Sequence, residues 1–118
     1  MAVDSQLFKG LVNLKFLYLG SNILINIDPG LCDDLKSLQV FDVDDNKITA
    51  IKPNVFNGLS DVRIMYLSNN NIQQIDRNAF VGLVTLDDVW LQTNPISNMN
   101  PSYVMTLCSS NPKCKINI

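Results

Sequence analysis

The sequence has no histidine and no glutamate, and all eleven of its acidic residues are aspartates. Without histidine, it lacks the side chain that most often serves as the general base for a serine or cysteine nucleophile. It also has no glycine-rich loop of the kind that holds a phosphate. These absences argue against catalysis, so we expect a chain that is not an enzyme and that needs no cofactor.

Positive charge is scarce as well, because nine Lys and Arg residues stand against eleven acidic residues, which leaves a net charge of −2. Such a chain has no electrostatic reason to bind nucleic acid or an anionic membrane surface. No apolar run reaches the roughly 18 residues that a transmembrane helix needs. Residues 1–5 also lack the basic start and the apolar centre of a secretion signal. We therefore expect neither nucleic-acid binding nor membrane insertion.

What the sequence does contain is a repeat of 24 residues. Its most regular feature is an asparagine after a short strand-like segment, at Asn22, Asn46, Asn70 and Asn94. Five residues later an interior apolar position holds Ile27, Ile51, Ile75 and Met99, and five further on another holds Cys32, Phe56, Phe80 and Val104. An asparagine side chain donates and accepts at once, so it can satisfy backbone groups in a buried turn. We assign the four asparagines a structural role.

This pattern strongly resembles the leucine-rich repeat family, in its typical 24-residue class, over roughly residues 3 to 107. That class is typical of extracellular receptors such as Toll-like receptors and of invertebrate recognition proteins. The resemblance implies an α/β solenoid that is mainly β, with parallel strands on the concave face and loops or short turns on the convex face. Since one repeat cannot bury its apolar side alone, the repeats must stack.

The repeat register divides the chain within a single domain, residues 1–118. We expect residues 1–10 to be the tail of a truncated repeat, followed by four repeats and a C-terminal cap over residues 107–118. The repeats are residues 11–34, 35–58, 59–82 and 83–106. The strand that contains Leu17 then has no strand before it, and we expect this uncapped N-terminal edge to favour a homodimer.

In the family, the residues between the framework leucines point outward from the strands into the concavity. Here those positions combine apolar and acidic side chains, and we predict that they bind the ligand: Phe16, Tyr18, Val40, Asp42, Asp44, Ile64, Tyr66, Asp88, Trp90 and Gln92. Apolar patches of this kind mark interaction sites, and Trp and Tyr are preferred interface anchors. Two alternatives are that such residues simply favour strands, or that another part of the protein covers them.

The segment from Asp42 to Asn46 begins like a calcium-binding loop. However, Lys47 and Pro53 stand at the positions where that loop requires Gly and Glu. We therefore expect no metal site there. An acidic spot on the concave face favours instead a partner that carries Lys or Arg.

The sequence has three cysteines. Cys108 and Cys114 have a spacing compatible with a disulfide across the turn between them, which we predict, and the alternative is a pair of free thiols in a cytosolic protein. Cys32 replaces the interior Phe of its repeat, so we expect a buried, inert thiol. Two cysteines without histidine are too few ligands for structural zinc.

The family resemblance implies a non-catalytic binding module that takes a protein or peptide ligand on its concave face. It points to a fragment of an extracellular recognition or adhesion receptor, and hence to an extracellular or secreted location. One alternative is a set of spacer repeats that positions other parts of a larger protein. Another is an adaptor or effector in the cytoplasm.

Overall fold

The strands of the computed structural model, which describes residues 3–118, lie on two sides of a solenoid. The concave face is a five-stranded parallel sheet, in the order β1 (Phe16–Tyr18), β2 (Val40–Asp42), β4 (Ile64–Tyr66), β6 (Asp88–Trp90) and β7 (Lys115–Asn117). The convex side carries the parallel pair β3 (Ala50–Ile51) and β5 (Gln74–Ile75), followed by the helices α1 (Pro95–Met99) and α2 (Pro101–Met105). This architecture confirms the predicted solenoid.

The strand register of the concave sheet follows the 24-residue repeat. Leu17 lies opposite Phe41, Phe41 opposite Met65, and Met65 opposite Val89. These four side chains are buried, because alternate residues of a strand point to opposite faces and theirs point into the solenoid. The residues before and after each of them point into the concavity.

The interior of the solenoid is packed with aromatic and aliphatic side chains from successive coils. The ring of Phe56 lies edge-on to Phe41 at 5.9 Å and is stacked on Phe80 at 5.7 Å between ring centroids. Cys32 is a free, fully buried cysteine. Burial, with a smaller contribution from nearby Asp33, raises the pKa of its thiol to about 12. At neutral pH this thiol is protonated and unreactive.

Asparagine side chains join each coil to the one before it. The Asn70 amide donates to the carbonyl of Val43 in the preceding coil at 3.1 Å, and to those of Leu67 and Ser68 in its own turn at 3.2 and 3.1 Å. Its Oδ1 accepts from the N–H of Ile48 at 3.1 Å. Equivalent bonds are made by Asn46 and Asn94. In the described part of the chain, exposed Asn22 bonds only within its own turn, to the carbonyls of Leu19 and Gly20.

The residue before each of these asparagines has a left-handed backbone, although none of the four is glycine. The φ angles lie between 54° and 58° at Ser21, Asp45, Asn69 and Thr93. A left-handed residue is unfavourable for side chains other than Gly, Asn and Asp. The repeated bonds of the neighbouring asparagine side chains hold this turn in each coil.

The fourth repeat departs from the other three. Met99 is 68% exposed, so the expectation that it fills the interior is wrong. The reason is that helix α1 replaces the extended segment found at this position in the preceding repeats, and the helical path turns Met99 outward. The hydroxyl of Tyr103, in α2, donates to the carbonyl of Ile75 at 2.7 Å. This hydrogen bond therefore occupies the Ile75 carbonyl at the end of β5, which a further convex strand would otherwise use as an acceptor.

The chain then returns to the concave sheet through a cross-linked turn. The predicted disulfide between Cys108 and Cys114 is confirmed, with 6.0 Å between the Cα atoms. Inside the turn, the Asn111 amide donates to the carbonyl of Leu86 at 2.8 Å. Strand β7 follows at once and places Ile116 opposite Val89. The segment that we expected to be a cap thus carries a fifth strand of the sheet.

At the other end of the stack, residues 5–10 form turns against the first full coil. The N–H of Gly10 donates to the Asp34 carboxylate at 2.8 Å, and Val3 and Phe8 are half-buried against the core. Of the predicted tail over residues 1–10, Met1 and Ala2 lie outside the described residues. Within residues 3–118, no helix has the length and hydrophobicity to cross a membrane.

Candidate ligand-binding face

The outward-pointing residues of the concave sheet form two continuous rows that cross all five strands. The first row is Phe16, Val40, Ile64, Asp88 and Lys115. The second row is Tyr18, Asp42, Tyr66, Trp90 and Asn117. Neighbouring strands lie about 4.8 Å apart, so adjacent members of a row can contact one ligand together. The strand pairing therefore brings eight of the predicted ligand-binding residues onto one surface.

Four aromatic side chains of this surface form two stacked pairs. On β1, the rings of Phe16 and Tyr18 are nearly parallel with centroids 6.5 Å apart, and these residues are 51% and 64% exposed. Tyr66 on β4 and Trp90 on β6 are stacked at 6.4 Å and are half-buried. The two pairs lie on either side of β2. Stacked rings of this kind offer a ligand large, rigid apolar contacts.

Three aspartates lie at the end of β2 and in the turn after it. The Oδ1 of Asp42 accepts from the N–H of Asp44 at 2.9 Å, and the Oδ1 of Asp44 accepts from the N–H of Ser68 at 2.6 Å. The Asp45 carboxylate accepts from the Asn69 amide. Within residues 3–118, none of these carboxylates is paired with a basic side chain. The local potential is therefore negative and open to a cation from outside.

The pKa of the Asp44 carboxyl is raised to about 6. Burial is the main cause, and the charges of Asp42 and Asp45 raise the pKa further. The hydrogen bond from the N–H of Ser68 acts in the opposite direction, because it stabilises the carboxylate. Asp44 thus carries a full negative charge only above slightly acidic pH.

The charges at the edges of the two rows are more exposed. Arg63 and Asp87, one residue before the first row, form an ion pair at 3.8 Å between Nη1 and Oδ2, with side chains 59% and 43% exposed. A pair this exposed contributes little stability. Predicted Gln92 lies beyond the second row and is exposed. Lys115 is also exposed and makes no ion pair with Asp88 across the β6–β7 pairing.

Sequence reasoning missed two residues of this face, Lys115 and Asn117. The repeat does not indicate these two residues, because β7 follows the cysteine-linked turn and lies outside the 24-residue register. A signal was present, since Lys115, Ile116 and Asn117 alternate polar and apolar side chains as a half-buried strand does. Three residues are too few for that alternation to stand out from a loop.

The concave face is an open surface and not an enclosed pocket. A surface cavity of about 660 Å³ lies elsewhere, between turns lined by residues such as Lys36, Asn54, Gly58 and Asn78. In the part of the chain that the structure describes, no three His, Cys, Asp or Glu side chains are grouped to hold a metal ion. The geometry suits a broad contact with a macromolecular ligand.

Comparison with known proteins gives one family and several similar structures. The family model described as leucine rich repeat matches residues 2–48 and 37–96. The structure of the TLR13–ssRNA13 complex is similar with a TM-score of 0.84 and 29% sequence identity, covering 94% of this chain and 15% of that chain. No curated protein matches the sequence significantly.

The Toll–Spatzle complex of Drosophila is similar with a TM-score of 0.85 and 23% identity, covering 98% of this chain and 16% of that chain. Its glycosylated form gives a TM-score of 0.65 and 19% identity, covering 99% of this chain and 20% of that chain. At these identities the likeness shows the fold. The chain thus spans between about one seventh and one fifth of the length of the proteins that it resembles.

Proposed function

The chain belongs to the leucine-rich repeat family, and from that premise we propose that it is a non-catalytic binding module whose concave face takes a protein or peptide ligand. The observation that carries the proposal is two stacked pairs of rings, Phe16 with Tyr18 and Tyr66 with Trp90, on either side of β2, whose end and following turn carry three aspartates. The framework does not need these rings, because they point away from the core. Exposed aromatics beside unpaired charge are typical of interface anchors.

A protein ligand fits the charge of this face better than a nucleic acid does. The TLR13 structure holds ssRNA13, but this chain has a net charge of −2 and presents Asp42, Asp44 and Asp88 around its aromatic rings. Such a surface repels a phosphate backbone and attracts a partner that carries Lys or Arg.

An extracellular or secreted location is part of the proposal. The Cys108–Cys114 disulfide supports it, because disulfides persist in oxidising compartments and are rare in the cytosol. The likeness to TLR13 and Toll supports it as well. With this location, we propose that the chain is a recognition segment of a receptor.

The test is selection of binding peptides from a random library displayed on phage, with the folded chain as bait. We expect selected peptides to combine basic and large apolar residues. Tyr66→Ala and Trp90→Ala should each weaken them by about tenfold, the scale of an interface anchor. Val81→Ala and Val84→Ala are the matched controls, because both side chains are exposed apolar residues outside the concave face.

Two results would contradict the proposal. One is a library that yields no binder, which would favour spacer repeats, and the other is a set of binders that the Tyr66 and Trp90 variants do not weaken. A titration with a single-stranded RNA oligonucleotide tests the ligand class. We expect no saturable binding, and saturable binding at physiological salt would replace the protein ligand with a nucleic acid.

A further inference from the structure

On the concave face, β2 runs between the two pairs of aromatic rings. We call the strip over Val40 and Asp42, between these rings, the slot. Tyr18 on β1 and Tyr66 on β4 are the register neighbours of Asp42 on its two sides. Their backbones are therefore separated by two strand spacings, about 9.6 Å. Each tyrosine is stacked on a ring on its own side, Phe16 or Trp90, and within residues 3–118 no ring contact crosses β2. The two pairs of rings therefore flank β2 without a stacking contact across it in the described part of the chain.

The floor of the slot changes from apolar to acidic along the strand. Val40 and Asp42 are both half-buried and point into the concavity, and Asp44 follows in the turn. One oxygen of Asp42 accepts from the N–H of Asp44, while the other has no partner in the described part of the chain. The slot therefore has an apolar half at Val40 and, at the end of β2, the Asp42 carboxylate, which lies beside Gly20 and keeps one oxygen free within residues 3–118.

Resting on the proposed function, we propose that this slot is the subsite for one arginine side chain of the protein ligand. The aliphatic stem lies over Val40, and the guanidinium reaches the Asp42 carboxylate beside Gly20, next to the rings of Tyr18 and Tyr66. A guanidinium suits both surroundings, because its flat face stacks on an aromatic ring and its N–H groups donate to a carboxylate. Lysine fits less well, since its compact, strongly hydrated ammonium cannot stack on the rings in this way.

The charges around the slot point to a cation as the occupant. Three carboxylates lie within four residues, from Asp42 to Asp45, and no basic side chain of the described chain neutralises them. The raised pKa of Asp44, to which Asp42 and Asp45 contribute after burial, reflects the same uncompensated charge. An apolar ligand residue would bury these carboxylates without a partner, which is costly.

The experiment uses the smallest probe that carries the group, N-acetyl-arginine amide, titrated into the isotopically labelled chain and followed by backbone amide chemical shifts in NMR. We expect the shifts to cluster at residues 18, 40–44 and 66. The neutral analogue N-acetyl-citrulline amide has nearly the same shape, and we expect it to bind at least about fivefold more weakly, because the charge-assisted contact is lost.

Variants of Asp42 and Tyr66 test the two contacts proposed for the guanidinium, with the carboxylate and with the ring. Asp42→Asn keeps the acceptor for the N–H of Asp44 and should lose the preference for arginine over citrulline, whereas Asp61→Asn, at an exposed aspartate outside the sheet, should leave it unchanged. Tyr66→Phe keeps the ring and should bind within about twofold of the parent chain. Tyr66→Leu should bind about threefold more weakly, as expected for one lost cation–π contact. A melting curve of each variant confirms that it is folded.

The inference is wrong if the citrulline probe, or Nα-acetyl-lysine amide with its free side-chain ammonium, binds as well as the arginine probe. It is also wrong if Asp42→Asn has no effect or if the chemical-shift changes lie elsewhere. Its failure can be told from that of the proposed function. If the selected peptides need Tyr66 and Trp90 but contain no arginine, the proposed binding face holds and the arginine subsite is wrong. If arginine binds at Asp42 but the library yields no peptide, the subsite holds and the proposed protein-binding function is wrong.

Discussion

Asn70 shows how one side chain can join two coils of the solenoid. Its amide bonds to carbonyls of both coils, and its Oδ1 takes the N–H of Ile48. We expect Asn70→Ala to lower the free energy of unfolding by about 1–3 kcal/mol, because these part-buried groups lose their partner. Asn71→Ala is the control, since this exposed side chain makes no hydrogen bond within residues 3–118. Equal denaturant midpoints for the two variants would contradict this structural role of Asn70.

Asp44 gives a residue-scale prediction about pH. Its carboxyl has a pKa of about 6 in the folded chain, against an ordinary 3.8, so the folded state holds the proton more tightly. Its contribution to stability is therefore complete below about pH 4 and is lost as the pH rises through 6. Asp44→Asn should stabilise the chain at pH 7, by about 1 kcal/mol after allowance for solvent screening, and much less at pH 4.

The measurement is the melting temperature of the parent chain, Asp44→Asn and Asp61→Asn between pH 4 and 7. The gap between the parent chain and Asp44→Asn should widen as the pH rises. The Asp61→Asn curve should run parallel to that of the parent chain. A gap that stays constant or narrows toward pH 7 would show that Asp44 does not titrate as described.

At the scale of elements, the cysteine-linked turn fixes β7 against β6. The disulfide closes a loop with a sequence separation of 6, so in the chain-entropy model its loss costs about 2 kcal/mol. We expect the double variant Cys108→Ala with Cys114→Ala to lose about that much stability. Hydrogen exchange should speed up most at residues 115–117, because the turn no longer holds the edge strand.

Thiol labelling provides an independent check of the same element. The native chain should show no fast-reacting thiol, because Cys32 is buried and the pKa of its thiol is raised to about 12. A reductant should expose two, at Cys108 and Cys114. Two fast-reacting thiols in the untreated native chain would contradict the cross-link.

At the scale of the whole molecule, the stack has an open edge at β1. Within residues 3–118, this strand has a sheet neighbour on one side only, β2. Leu11, Val12 and Phe16 near it are 44%, 45% and 51% exposed. Unpaired backbone groups beside exposed apolar side chains favour association. We expect this chain by itself to form a two-fold dimer through the edge, because such a contact closes without forming a fibre.

Light scattering over a concentration series measures this association. Leu11→Ser combined with Val12→Ser should shift the chain toward monomer, whereas Met105→Ser, at an exposed residue of α2 in the last repeat, should not. A monomer at the highest concentration would mean that residues 3–10 shield the edge. A dimer that the double variant leaves intact would place the contact elsewhere, with the aromatic concave face as the next candidate.

The sequence by itself determined the repeat and, through it, the solenoid. A period of 24 residues fixes which residues share a position, and stacking is the only way in which such units bury their apolar sides. The repeat alone therefore aligns the two rows that cross the sheet as far as Asp88 and Trp90. The cysteine spacing likewise predicted the cross-link.

Only the tertiary structure decided what happens where the period stops. Met99 keeps the repeat position but is exposed, because α1 changes the path of the chain. Lys115 and Asn117 join the rows outside that period, because the Cys108–Cys114 turn returns β7 to the edge of β6. The slot over β2 depends on which rings stack on each other, and that follows from side-chain packing within β1 and between β4 and β6, which a one-dimensional pattern does not contain.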